Sequence, residues 1–120
     1  MEIRKRVIES ITVIGLMGDL DSRSTPSVQE QVLPSLPKDG RILLDLSGVS
    51  FVSSAGLRTM LLIYRQAQAL NSSVALVGLS GEIRGVLSAT GFLGFFVVAD
   101  NLADGLAALK EPVVEQSGAR

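Results

Sequence analysis

The sequence predicts an α/β fold: a mixed, largely parallel β-sheet packed with about four α-helices and preceded by an antiparallel N-terminal strand pair. Two observations carry that reading. Short apolar runs at 41–46, 73–78 and 95–98 alternate with helical patterns, an order that builds parallel sheets through right-handed crossovers. The two N-terminal runs, 3–9 and 11–17, are parted only by Ser10. That gap admits a tight hairpin and no crossover.

Each element has a local reason. Residues 3–9 (IRKRVIE) form a mixed charged strand and 11–17 (ITVIGLM) a more apolar one. The charged strand belongs at an edge, where such residues discourage aggregation. A helix then starts at Ser24 or Thr25, either a good N-cap, with Pro26 suited to the first helical position. Val28, Val32 and Leu36 repeat at helical spacing, while Pro34 and Pro37 end that helix early. Residues 41–46 (RILLDL) and 73–78 (SVALVG) are near-continuously apolar, as strands buried on both faces are. Leu43, Leu44, Leu46, Val74, Leu76 and Val77 are therefore expected in the core.

Between those strands runs the longest helix, 55–70, with Asn71 as its stop. Leu57, Met60, Leu61 and Tyr64 are expected to face the core from it. Ser80 caps a further helix that runs to about Ala89, with Gly91 as its C-terminal glycine. FFVV at 95–98 reads as the last strand. Asn101 caps a final helix to Lys110, which Pro112 closes. We expect residues 1–110 to form a single domain and 111–120 to be a flexible C-terminal tail.

Composition narrows the function. The chain has 120 residues, 47% of them hydrophobic and only 4% aromatic, which fits one domain with an aliphatic core. It has no Cys and no His. That excludes disulfides, thiolate nucleophiles, imidazole general bases and the usual zinc sites. A single Tyr, no Trp and a net charge of −1 offer little to nucleic acid or anionic lipid. No direct nucleic-acid or membrane contact is expected, and no cofactor or metal. The most apolar stretch, 85–99, is interrupted by Ser88, Thr90 and glycines and falls short of the ~20 residues that span a bilayer. The N-terminus lacks an uninterrupted signal-peptide core. A cytoplasmic protein is the simplest reading.

In a parallel sheet, ligands and partners gather where strands end and helices begin. Two loops lie there, Gly18–Ser24 and Ser47–Gly56. The second carries Ser47, Ser50, Ser53 and Ser54 around Phe51 and Val52. One of Ser53 and Ser54 is explained as a helix N-cap. A helix N-terminus also stabilises an added phosphate, so a serine there can be phosphorylated without melting the helix. Ala55 and Gly56 have minimal side chains and would let another protein approach closely. Arg58 and Arg65 share one helix face, open either to water or to a partner.

These residues carry a resemblance. The run Asp45-Leu-Ser-Gly-Val-Ser-Phe-Val-Ser-Ser-Ala-Gly-Leu-Arg58, with Gly18-Asp-Leu-Asp21 upstream and Ser88-Ala-Thr-Gly-Phe92 downstream, resembles the STAS domain of bacterial anti-sigma factor antagonists from about Ile3 to Lys110. The resemblance implies a STAS-like fold and a regulatory binding protein that is not an enzyme. It implies partner switching. The unphosphorylated form binds an anti-sigma serine kinase of the GHKL type and frees a sigma factor, phosphorylation ends the complex, and a PP2C-type phosphatase resets it.

Position by position, the family's phosphoacceptor serine falls on Ser54, with Ser53 as the competing hydroxyl. The family's Asp-Ser-Ser-Gly becomes Ser53-Ser54-Ala55-Gly56, which lacks the acid. The acidic partner-surface residue falls on Asp21 within Gly18-Asp19-Leu20-Asp21, though a turn role would also account for it. Asp45 reads as a turn-fixing residue. Asp19, Asp21, Ser53, Ser54, Ala55, Gly56 and Arg58 are thus the candidate partner surface. A different role for the same fold stays open: a STAS scaffold or accessory subunit of a larger sensory or membrane-transport assembly. A small enzyme using Asp19, Asp21 and Ser54 would lack a base near the serine.

Overall fold

The computed structural model describes residues 1–110 of the chain, so the expected tail at 111–120 lies outside the described residues. Five strands form one sheet in sequence order: β1 (Glu2–Ile8), β2 (Ile11–Met17), β3 (Arg41–Gly48), β4 (Ser73–Val77) and β5 (Val97–Ala99). β1 pairs antiparallel with β2, and every later pairing is parallel. The hairpin turns on Glu9 and Ser10, both at positive φ (53° and 70°), as the two-residue turn that matches strand twist requires.

Four helices complete the α/β sandwich: α1 (Thr25–Val32), α2 (Ser54–Ala69), α3 (Gly81–Thr90) and α4 (Leu102–Lys110). The first three cover one face. Val28 and Val32 of α1, Met60 and Ile63 of α2, and Ile83 and Leu87 of α3 pack with Ile14, Ile42, Leu44 and Leu76 in the larger core. On the other face, Leu106 and Leu109 of α4 pack with Ile11, Val13, Leu43, Ala75 and Val77. The alternation of these two sets along β3 explains its continuous apolar run: Leu43 faces α4 while Leu44 faces the other helices. All six strand residues expected in the core are buried.

Local chemistry bounds the helices as expected. Asn71 takes φ +57° after α2, Ser80 Oγ accepts the Ile83 N–H at 3.1 Å, and Asn101 Oδ1 accepts the Asp104 N–H at 2.9 Å. α1 gives way after Val32 to a 3-10 turn, Leu33–Ser35, that contains Pro34.

Three expectations need correction. The final strand is Val97–Ala99, not 95–98, because Leu93–Phe95 forms a 3-10 turn. The two phenylalanines are drawn to α2 instead of the sheet. The Phe95 ring stacks on Tyr64 at 4.6 Å and Phe96 meets it edge-on at 5.8 Å, favourable aromatic geometries. Along α2 the buried line is Gly56, Thr59, Met60, Ile63 and Ala67; Leu57 and Tyr64 pack against the core from half-buried positions, as expected, whereas Leu61 is half-buried and stands outside it. Finally, Ser24 stands at the N-cap position of α1 without capping it through its side chain.

Candidate functional site

β2 and β3 are adjacent and parallel, so the loops that leave them emerge side by side. Backbone hydrogen bonds join the two loops into one surface. The Gly18 N–H donates to the Gly48 carbonyl at 3.0 Å, Leu20 to Phe51 at 2.9 Å, and Ser53 back to Leu20 at 2.9 Å. Leu20 and Val52 form an isolated parallel bridge. The Leu20 side chain is fully buried and anchors the first loop in the core.

The same residue explains Gly56. A Cβ at that position would lie 2.4 Å from the Leu20 carbonyl oxygen. The bare glycine therefore lets the first turn of α2 settle against the loop. Gly56 is buried, so its small size serves packing inside the molecule, and direct contact from outside falls to its neighbours.

Ser53 and Ser54 part company here. Ser53 is the N-cap of α2, in extended backbone, and its Oγ accepts the Gly56 N–H at 3.2 Å. Ser54 is the first helical residue and is exposed. Among the described residues its hydroxyl enters no side-chain hydrogen bond. The structure thus gives the cap to Ser53 and leaves the Ser54 hydroxyl at the helix end where free N–H groups and the dipole favour an anion.

The acidic loop is built by its own turn. Asp21 Oδ1 accepts the Arg23 N–H at 2.9 Å and the Ser24 N–H at 3.2 Å. Ser24 Oγ, free of capping, donates to the Asp19 carbonyl at 2.8 Å and accepts the Asp21 N–H at 3.0 Å. Asp21 therefore has the turn role, with its carboxylate half-exposed. Asp19 is exposed and receives a long contact from Ser50 Oγ, 3.4 Å, across the two loops. Asp45 holds its own turn as expected, accepting from Ser47 N–H at 3.0 Å and Ser47 Oγ at 2.7 Å.

One residue escaped the sequence reading. Phe51 is 49% exposed between Ser50 and Val52. An exposed ring at a loop tip is an interface signal, and its setting among serines was the available clue. The face therefore combines an exposed hydroxyl (Ser54), two carboxylates (Asp19, Asp21), an aromatic ring (Phe51) and, one turn along α2, the exposed Arg58. Among the described residues no cluster of three or more metal-ligating side chains occurs, and no helix is long and apolar enough to cross a membrane. This surface is suited to protein recognition and to accepting a phosphoryl group.

Comparison with known proteins identifies the relatives of this fold. A model of the STAS domain matches residues 2–105. The chain is similar to BtrV of Bordetella bronchiseptica, a provisionally named anti-sigma factor antagonist. The two are 29% identical over 111 residues, 92% of this chain and 96% of that one. The fold is shared with an anti-sigma-factor antagonist (STAS) domain protein from Planctomyces limnophilus, at TM-score 0.80 and 18% identity over 91% of this chain and 98% of that one. It is shared too with the phosphorylated form of the Bacillus cell fate determinant SpoIIAA. There the TM-score is 0.70 and the identity 18%, covering 91% of this chain and all of the other, 100%.

Proposed function

The chain belongs to the STAS domain family, and on that premise we propose that it is an anti-sigma factor antagonist working by partner switching in the cytoplasm. In its unphosphorylated form it binds an anti-sigma serine kinase of the GHKL type, and the sigma factor held by that kinase is released. The kinase then transfers the γ-phosphoryl group of ATP to Ser54 Oγ. An O–P bond forms at the serine, the bond to the ADP leaving group breaks, and the hydroxyl proton passes to a base of the kinase. The complex ends there. A PP2C-type phosphatase hydrolyses the ester, returns inorganic phosphate and resets the protein.

The observation that carries this reading is the division of labour at the start of α2. Ser53 caps the helix through the Gly56 N–H, so the exposed Ser54 hydroxyl is available for transfer without loss of the cap. Asp19, Asp21, Ser53, Ala55 and Arg58 frame it as the partner surface, and Gly56 holds the frame together from within.

The test is to incubate the protein with its cognate serine kinase and ATP and to map the phosphate by mass spectrometry. One phosphate on Ser54, with loss of the kinase complex, is the expected result. Labelling that survives Ser54→Ala and vanishes in Ser53→Ala moves the acceptor by one residue. Absence of any kinase complex removes the partner-switching reading and leaves the scaffold role in its place.

A further inference from the structure

Beside Ser54 a groove of about 480 Å³ runs between α1 and α2. Thr25 and Gln29 form its α1 wall, and Ala55, Arg58, Leu62 and Arg65 its α2 wall. Thr59, 2% exposed, lies at its base and accepts a hydrogen bond from Gln29 Nε2 at 3.2 Å. Among the described residues no carboxylate lines it. Arg58 and Arg65 are exposed, and among the described residues neither enters a salt bridge. Between them Leu62 is 39% exposed.

The spacing carries the argument. Arg58, Leu62 and Arg65 stand at i, i+4 and i+7, so they form one stripe along α2 with a cation at each end and an apolar side chain between. Two helical turns separate the arginines, roughly 11 Å of axis. Such a stripe complements a segment that presents a carboxylate, an apolar residue and a carboxylate at matching intervals. Guanidinium groups pair with carboxylates bidentately, and the apolar centre excludes water around them.

We infer that this groove docks an acidic, amphipathic segment of the partner kinase, and that phosphate on Ser54 draws Arg58 away from it. The inference rests on the proposed function and deepens it by giving the partner's docking element a chemistry. The groove is continuous with the acceptor, since Ala55 lines its mouth and Ser54 precedes Ala55. Ser54 and Arg58 are an i, i+4 pair, within reach of each other on the helix surface. A phosphate dianion there accepts the Arg58 guanidinium from within the chain. The partner's carboxylate then loses its counter-charge and meets a like charge in its place. Release follows from a competition for one arginine, with α2 itself unmoved.

The experiment measures binding of the purified cognate kinase to wild type, Arg58→Gln, Arg65→Gln and the double reversal Arg58→Glu/Arg65→Glu, each checked by thermal melting. Each Gln variant should weaken the complex by about fivefold or more and the double reversal by about a hundredfold, with affinity falling as salt rises. Protein carrying phosphoserine at position 54 is titrated by phosphorus NMR in parallel. The second phosphate ionisation should come at lower pH with Arg58 than with Arg58→Gln. If wild type binds the kinase and is phosphorylated while all variants bind equally well, the docking groove is overturned and the proposed function stands. If the two phosphoproteins titrate alike, the capture of Arg58 is overturned. Failure of wild type to bind or be phosphorylated overturns both readings.

Discussion

Gly56 rests on the Leu20 carbonyl oxygen so closely that a Cβ would stand 2.4 Å from it. The obstacle is backbone, which cannot swing aside as the tip of a flexible side chain would. The same carbonyl accepts the Ser53 N–H. Gly56→Ala must therefore push α2 from the loop or break that hydrogen bond. We expect a stability loss of about 1–3 kcal/mol in denaturant unfolding, with poorer phosphate transfer to Ser54. A variant as stable as wild type would show that the two loops are less tightly joined than this contact requires.

The two serines at the start of α2 should separate in a simple measurement. Ser53→Ala removes the oxygen that accepts the Gly56 N–H and should cost about 1 kcal/mol. Ser54→Ala removes an exposed hydroxyl and should change unfolding by less than about 0.5 kcal/mol. Urea melts of both variants check this. Equal losses would mean that Ser54 shares the capping role.

The centre of the sheet offers a test of the fold. Leu44 is 2% exposed, pairs in register with Ile14 and Leu76, and faces α1, α2 and α3. Leu44→Ala should cost roughly 2–5 kcal/mol, the transfer term plus the cavity left behind. A loss below about 1 kcal/mol would contradict its place between two layers.

What was legible in the sequence is what depends on neighbours along the chain. The apolar run at Leu43–Leu46 shows burial on both faces whatever covers it. Asn71 stops a helix, and Ser80 and Asn101 start theirs, by the chemistry of the residue itself. Contacts between distant segments were not legible. Nothing near Phe95 and Phe96 reveals that Tyr64 will gather them, so the apolar run points to a strand that begins two residues early. Gly56 read as an outward-facing small residue because the Leu20 carbonyl that explains it arrives from another loop. Ser53 and Ser54 were equivalent caps until the helix start was fixed, since one residue of register decides which hydroxyl stays free. Ser24 failed to cap α1 because its hydroxyl serves the Asp19–Asp21 turn instead.

The final prediction concerns how phosphorylation acts. Phosphate adds about −1.5 to −2 charges at Ser54, at the end of α2 where the dipole tolerates them. Ser53 already supplies the cap, so no intramolecular bond need break to accommodate the group. The fold should hardly respond, and the effect should fall on the interface. There the added charge faces the Asp19 and Asp21 loop and a partner surface shaped for a small neutral hydroxyl. Arg58 offsets only part of that charge within the chain; burying the remainder against the partner costs several kcal/mol, and each 1.4 kcal/mol is a factor of ten in affinity. Ser54→Asp adds part of that charge at an exposed position, so it should bind the kinase far more weakly and melt close to wild type. Amide shifts between free and phosphorylated protein should cluster at Gly18–Ser24 and Ser47–Thr59. Large shifts across β4 and out to β5, at the far edge of the sheet, would instead reveal a rearranged fold and overturn the local mechanism.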